Sequence, residues 1–347
     1  MLNSSQRKAL RTEQLEGFDP NGIAVGEGVY GLPFTEASAE VIMLPVPWEV
    51  TVSYNSGTAD GPEAIRQASR QVDLMDPLAP KSWELGLWMS PSDDALKRTS
   101  DAMRQEAERH IEDLEAGRHD AARLARINAA CEDMVKHVRH RTGEVLDRGQ
   151  KLILIGGDHS TPLGYIQALA ERGDLGILHI DAHMDLREAY EGFTYSHASV
   201  MWNALKLKPV SALVQVGIRD YAQSEWDKAA AQGERVHVFW DRDLKHAQYR
   251  GANWASQVDE IVSALPQRVY VSWDIDGLDP RFCPNTGTPV AGGFTPDEIL
   301  YLLEQVKSSG REFVGMDLNE VAPGEHGDWD ANVAARLLYR MATLLGS

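Results

Sequence analysis

The sequence predicts an open α/β fold with a mostly parallel central sheet and helices on both of its faces. Three observations carry that prediction: short apolar runs recur along the chain, helical stripes lie between them, and polar clusters begin where several runs stop. The runs are Val41–Val46, Leu152–Ile155, Leu175–Ile180, Ala212–Val216, Val236–Trp240, Val269–Trp273 and Phe313–Leu318. Each is apolar at most positions, the pattern of a strand buried on both faces. Between the runs, Leu124, Ile127, Cys131, Val135 and Val138 repeat at spacings of three and four, a helical stripe. Thr295-Pro296-Asp297-Glu298 reads as an N-cap with proline at the first helical position.

The chain has 347 residues, and no internal repeat or low-complexity linker divides it. Large α/β enzymes run to this length as one domain. Residues 1–40 are polar, Gly-rich and weakly patterned, and read as an N-terminal arm serving an oligomer contact or a site rim. Residues 41–347 read as a single domain. Within it, the charged, helix-like stretch 82–120 is expected to decorate the edge.

Composition narrows the function. The net charge of −18 argues against a nucleic-acid surface, which needs clustered Lys and Arg. It suits a cationic substrate drawn in by the protein's field, and it equally serves solubility. No run of eighteen apolar residues suggests a transmembrane helix. Met1 to Phe18 lacks the apolar core of an export signal. The two cysteines, Cys131 and Cys283, make a disulfide framework improbable and fit a reducing cytoplasm.

Ligands bind at the carboxyl ends of strands in open parallel sheets, and four runs lead into polar clusters there. Leu152–Ile155 leads into Gly156-Gly157-Asp158-His159-Ser160, and Leu175–Ile180 into Asp181-Ala182-His183-Met184-Asp185. Val269–Trp273 leads into Asp274-Ile275-Asp276-Gly277-Leu278-Asp279-Pro280, and Phe313–Leu318 into Asn319-Glu320-Val321-Ala322-Pro323. Residues two apart on an extended segment point the same way, so Asp181, His183 and Asp185 converge, as do Asp274 and Asp276. Taken singly, each cluster also reads as carboxylates capping a turn beside a core histidine. Together with His159 they gather four carboxylates and two imidazoles, which repel and perturb one another unless cations neutralise them. Two divalent metals balance four carboxylates. Oxygen-rich ligands with some imidazole suit manganese, nickel is also compatible, and the thiolates that favour zinc are absent.

These three signatures, at 156–160, 181–185 and 272–280, resemble those of the ureohydrolases, the family of arginases, agmatinases, formiminoglutamases and guanidino-acid hydrolases. Ser56-Gly57-Thr58-Ala59-Asp60-Gly61-Pro62, Thr286-Gly287-Thr288-Pro289 and Gly292-Gly293 extend the resemblance, which spans roughly residues 40 to 345. It implies an arginase-like three-layer α/β/α fold and two manganese ions. His159, Asp181, Asp185 and Asp274 would hold one ion. Asp181, His183, Asp274 and Asp276 would hold the other, with Asp181 and Asp274 bridging. A hydroxide generated there would attack the guanidinium carbon and release urea and an amine. Asp185 would orient that hydroxide and pass a proton to the amine. His197 matches the family's proton shuttle, and Glu320 the acid that pairs with the guanidinium. A trimer or hexamer is implied.

The stretch 185–197 resembles agmatinases more than arginases. Ala198 departs from the glycine that often follows the histidine in the family. Trp48, Trp202 and Trp273, if not simple packing residues, would narrow the pocket toward a short or alkylated guanidine: free guanidine, a guanidino acid or a biguanide. Cys283 reads as structural filler or as a further residue facing the site. The expected function is therefore a binuclear-metal amidinohydrolase of the agmatinase-like branch. The alternatives are a non-catalytic subunit supporting a homologous partner, and a deacetylase on a related metal-dependent fold.

Overall fold

Apolar side chains alternate between two cores along the same strands. Val41 and Met43 enter one buried cluster while Ile42, Leu44 and Val46 enter the other. Likewise Ile153 and Ile155 separate from Leu152 and Leu154. A strand that fills two cores must have helices on both faces, and the computed structural model, which describes residues 2–24, 26, 28–324 and 327–347, shows that arrangement. Met1, Val25 and Glu27 of the N-terminal arm lie outside the described residues.

Eight strands form one parallel sheet: β1 (Val41–Val46), β2 (Leu87–Met89), β3 (Lys151–Gly156), β4 (Leu175–Ile180), β5 (Val210–Ile218), β6 (Val236–Trp240), β7 (Arg268–Asp274) and β8 (Glu312–Asn319). Their spatial order is β2-β1-β3-β8-β7-β4-β5-β6, and every pairing is parallel. The helices are α1 (Ser4–Gln14), α2 (Gly61–Ala68), α3 (Asp94–Glu115), α4 (Ala121–Asp147), α5 (Leu163–Ala170) and α6 (Val200–Leu205). They continue with α7 (Gln223–Ala231), α8 (Asp241–Tyr249), α9 (Trp254–Ser263), α10 (Pro296–Ser308) and α11 (Trp329–Gly346). Helices α4, α5 and α6 pack on one face, and α2, α10 and α11 on the other. The fold is a three-layer α/β/α sandwich.

All seven apolar runs are strands, and four of them extend by one or two residues at both ends. The 124–138 stripe lies on α4, with Ile127, Cys131, Val135 and Val138 buried. Thr295 caps α10 in a capping box with Glu298. Residues 82–120 supply edge strand β2 and helix α3, which packs on α4.

The arm contains a helix the sequence pattern does not reveal, because α1 docks through arginines rather than an apolar stripe. Arg11 Nη1 donates to Ser38 O at 2.8 Å, and Arg7 donates to Arg148 O at 3.0 Å and Gly149 O at 3.1 Å. Those acceptors precede β1 and β3, so α1 sits at the amino ends of the strands. The polar signatures follow the carboxyl ends, which removes α1 from the site rim.

Candidate metal centre

Four adjacent central strands, β3, β8, β7 and β4, deliver the signature residues. Ile155 pairs with Leu318, Asp274 with Asn319, and Ile180 with Trp273, so the ends are level. The paired glycines after β3 serve close approach. A Cβ on Gly156 would collide with the Asn319 side chain, and one on Gly157 with the Trp48 carbonyl. That closeness lets Asp158 N donate to Trp48 O at 2.7 Å and Glu320 N to Gly157 O at 2.9 Å.

His159 is the hub. Its Nδ1 lies 3.1 Å from Asp181 Oδ2, 3.1 Å from Asp185 Oδ2 and 3.4 Å from Asp274 Oδ2. A second group forms where His183 Nδ1 lies 3.0 Å from Asp276 Oδ2 and 3.5 Å from Asp181 Oδ1. Asp181 belongs to both groups of potential metal ligands, the first completed by His159, His179 and Asp185 and the second by His183 and Asp276, while Asp274 approaches His159 without joining either set. All of these residues except His183 are buried. Asp185 and Glu320 adopt φ of 53° and 63°, unusual for non-glycine residues and a strain that recurs where function fixes a side chain.

The electrostatics of this cluster are frustrated. Burial raises the Asp274 carboxyl well above its ordinary range, as do neighbouring Asp276 and Asp181. Burial and Asp181 push Asp185 up to about 7. Burial works against the charged form of His159, but hydrogen bonds to Asp181, Asp185 and Asp274 outweigh it and raise its pKa well above the ordinary value. Protons thus take the place that cations would fill, and binding a cation must release them. The donor set of carboxylates and imidazoles fits hard or borderline divalent ions. Glu320 Oε2 has no hydrogen-bond partner among the described residues.

A cavity of about 150 Å³ opens beside the cluster, lined by His183, Asp185, His197, Asp220, Tyr221 and Thr288 among others. His197 stands in this wall, outside the ligand cluster. Its backbone N–H donates to Thr51 Oγ1 at 3.2 Å, and its Nδ1 lies 3.3 Å from the same oxygen. Glu320 does not line the cavity. Its Oε1 accepts the His159 N–H at 2.9 Å, and its Oε2 lies beside Gly287, where a Cβ would crowd it.

The tryptophans do not narrow the pocket. Trp48 and Trp273 are fully buried in the two cores, and Trp202 packs beneath Lys228, 4.5 Å from its ring centroid. The walls come instead from smaller and polar groups, including Ser53, Ala198, and Arg187 stacked 4.6 Å over Tyr190. Cys283 is filler: it is buried in the core and its thiol points at Ile275 O, 3.2 Å away.

The sequence reading missed the support behind the ligands. His159 Nε2 lies 2.9 Å from Ser272 Oγ, which donates to Asp317 Oδ1 at 3.1 Å. Asn319 also donates to Asp317 and accepts from Thr161 Oγ1 at 2.9 Å. His179 Nε2 lies 2.8 Å from Asp181 Oδ2. These residues sit inside or beside apolar runs, and a polar side chain in a strand buried on both faces was the available signal.

The family model for the Arginase family matches residues 39–343. The chain belongs to the arginase family. This arginase-family chain is 34% identical over 316 residues to an N(1)-aminopropylagmatine ureohydrolase of Thermus thermophilus, covering 90% of this chain and 92% of the relative. It is 30% identical over 318 residues to an agmatinase of Neisseria meningitidis, covering 90% and 89%. Its fold matches the agmatine ureohydrolase of Thermoplasma volcanium with a TM-score of 0.70 at 22% identity, over 96% and 97% of the two chains. Membership makes it a metal-dependent hydrolase. Among the described residues, no helix is long and apolar enough to cross a membrane.

Proposed function

We propose that this chain hydrolyses the C–N bond of a guanidino compound to urea and an amine at two divalent ions. His159, Asp181, Asp185 and Asp274 hold one ion, and Asp181, His183, Asp274 and Asp276 the other. The carrying observation is the convergence of three buried carboxylates on His159 Nδ1, at 3.1, 3.1 and 3.4 Å, with Asp181 shared by the His183–Asp276 pair. A bound pair of ions supplies Lewis acidity and acidifies a shared water. Manganese suits this donor set best, and nickel also fits.

The chain's own groups supply the rest. Asp185 is held at the cavity wall by its strained backbone, where its carboxylate can pass a proton to the leaving amine. His197 is a neutral imidazole in the same wall, placed to shuttle that proton onward. Glu320 has one oxygen fixed by the His159 N–H and one free, beside the neighbour of cavity-lining Thr288. The free oxygen is the partner for a guanidinium N–H.

The substrate reading is a short or alkylated guanidine, now resting on the cavity rather than on the tryptophans. About 150 Å³ is well below the ~300–1,000 Å³ of drug-sized ligand sites, and the Arg187 cation on its wall opposes a distal ammonium. A second reading, a guanidine with an amine tail, draws on Asp220 and Glu225 in the same wall and on the substrates the relatives' names state. The enzyme is further read as a cytoplasmic trimer or hexamer. A urea-release screen over guanidine, guanidino acids, biguanides, agmatine and aminopropylagmatine, run with manganese and with nickel, tests all of this. Small guanidines should win in kcat/KM, which reports discrimination. A hundredfold advantage for agmatine would refute the short-substrate reading. No urea from any compound, with two ions bound, would leave the chain as a supporting subunit of a homologous enzyme.

A further inference from the structure

We propose that Gln215 and His179 form a buried clamp that positions the 181–185 ligand segment, with His179 serving as a hydrogen-bond donor to Asp181 and not as a metal ligand. The proposal rests on the reading of Asp181 as the shared ligand.

By position alone His179 qualifies as a ligand. It is fully buried on β4, and with His159, Asp181 and Asp185 it offers ligand atoms that all lie within 4.8 Å of one another. Its Nε2 is 2.8 Å from Asp181 Oδ2, the same oxygen that lies 3.1 Å from His159 Nδ1. The proton count on the far side of the ring decides otherwise.

Gln215, also fully buried, pairs with His179 across β5 and β4. Its Nε2 lies 2.7 Å from Met184 O and 2.9 Å from His179 Nδ1. A backbone carbonyl only accepts, so the amide nitrogen, and not the amide oxygen, must face Met184. One of its two hydrogens goes to that carbonyl, and the other points at His179 Nδ1, which therefore accepts. A neutral imidazole that accepts at Nδ1 carries its proton at Nε2. That N–H points at Asp181 and leaves no lone pair for an ion. Gln215 Oε1 has no partner among the described residues, so the amide is held through its donors.

Met184 lies between His183 and Asp185, so one amide acts on the segment twice. It ties down the backbone between two ligands directly, and it fixes the plane of the Asp181 carboxylate through the imidazole. The other Asp181 oxygen accepts the His183 N–H at 2.5 Å. A neutral donor holds Asp181 as a carboxylate without setting a fixed cation against the incoming ions, which a lysine or arginine would do. Outer residues of this kind typically matter about 10–100-fold in metal affinity.

Three substitutions separate the clamp from packing. His179→Gln retains a side-chain N–H that reaches toward Asp181. His179→Phe keeps an aromatic ring and removes the donor. Gln215→Glu replaces a donor by an acceptor, sets it against Met184 O and leaves His179 between two carboxylates, where both ring nitrogens donate. The full-length chain, stripped of metal, is read three ways: affinity by titration with Mn²⁺ alone and Ni²⁺ alone, the His179 tautomer by ¹⁵N NMR of labelled histidine, and the thermal midpoint before metal is added. The clamp requires an Nε2–H tautomer in wild type and a doubly protonated imidazolium in Gln215→Glu. Affinity should fall about 10–100-fold in His179→Phe and Gln215→Glu and stay within about threefold in His179→Gln, while the metal-free midpoints of the two His179 variants agree. An Nδ1–H tautomer in wild type, unchanged affinity in His179→Phe, or equal losses in both His179 variants would overturn it. A wild-type chain with the Nε2–H tautomer that binds fewer than two ions breaks the two-metal reading and keeps the hydrogen-bond assignment.

Discussion

Glu320 carries two duties on one carboxylate. One oxygen accepts the His159 backbone N–H, and the other is buried without a partner. Burial, with Asp274 and Asp158 nearby, raises its pKa well above the ordinary value, and on the proposed reading a guanidinium would draw out the charged form. Glu320→Gln keeps the shape and the His159 contact but supplies no anion. It should bind both ions as wild type does and lose about 10²–10³ in kcat, the scale of one preorganised electrostatic contact; lost metal in elemental analysis would place Glu320 among the ligands. His197 allows a test by pH. Burial pushes its imidazole down to about 3, helped by the charges of His183 and His159, from an ordinary 6.5. Between those values the unfolded chain binds a proton that the folded chain refuses. The stability that this residue contributes is therefore complete above 6.5 and declines as pH falls toward 3. Asp158 and Asp317, both pushed up to about 6 by burial, act in the opposite sense between 3.8 and 6. Subtracting wild type from His197→Phe isolates the histidine: the variant's thermal midpoint should gain on wild type as the pH is lowered from about 7 to about 4. A constant difference would show that His197 is not held neutral. The same variant should retain both ions and turn over about 10²–10⁴ more slowly, as expected of an acid–base group.

Elements were legible in the sequence where burial on two faces left long apolar runs, as in Leu152–Ile155. Edge strand β2 was not, because it is three residues long and too short to show a period. Helix α1 was hidden for a different reason. Its buried residues are Arg7 and Arg11, which a search for apolar stripes passes over. Arg11 gives this docking a testable strength. It donates to the buried Ser38 carbonyl at 2.8 Å and lies 3.5 Å from Glu40. Arg11→Ala strands that carbonyl and should lower unfolding stability by about 1–3 kcal/mol, measured by denaturant titration, with metal content and kcat unchanged. An effect on kcat would link the arm to the site after all. The ligand residues were legible because two segments, 181–185 and 274–276, repeat the two-residue spacing, although Asp276 lies in a 3-10 turn and Asp185 in a left-handed conformation. Their supports were not, since Ser272, Gln215 and Asp317 meet them only through strand order, and sequence spacing carries no strand order.

The whole molecule concentrates unfavourable charge at one place. Asp274, Asp185 and Glu320 all have raised pKa values in the absence of ions, so the sheet's centre is its least satisfied region. Ions that bind only the folded chain stabilise it by mass action, about 2.7 kcal/mol at a free concentration one hundred times Kd. Adding Mn²⁺ or Ni²⁺ to the metal-stripped chain should raise the thermal midpoint, and the rise should shrink as acid reprotonates the ligands. A midpoint indifferent to metal would contradict the centre as drawn. The same charge explains where the sequence misled. Trp273 looked like a pocket wall because it adjoins Asp274 in sequence, yet in an α/β sandwich the residue next to a site-facing one points into a core, as Trp273 does.

Strand β8 lies between β3 and β7 although it follows the other seven strands of this sheet in sequence. On a ribosome, the first three hundred residues emerge with a slot in the middle of the sheet and two open strand edges facing it. Open edges recruit other chains, so this interval is when the protein is most exposed to aggregation. Glu320 and its backbone contact to Gly157 arrive only with residues 312–320. Translation must therefore pass residue 320 before the site can assemble, and a chain stopped before residue 312 has its metal ligands in hand but no closed sheet to hold them.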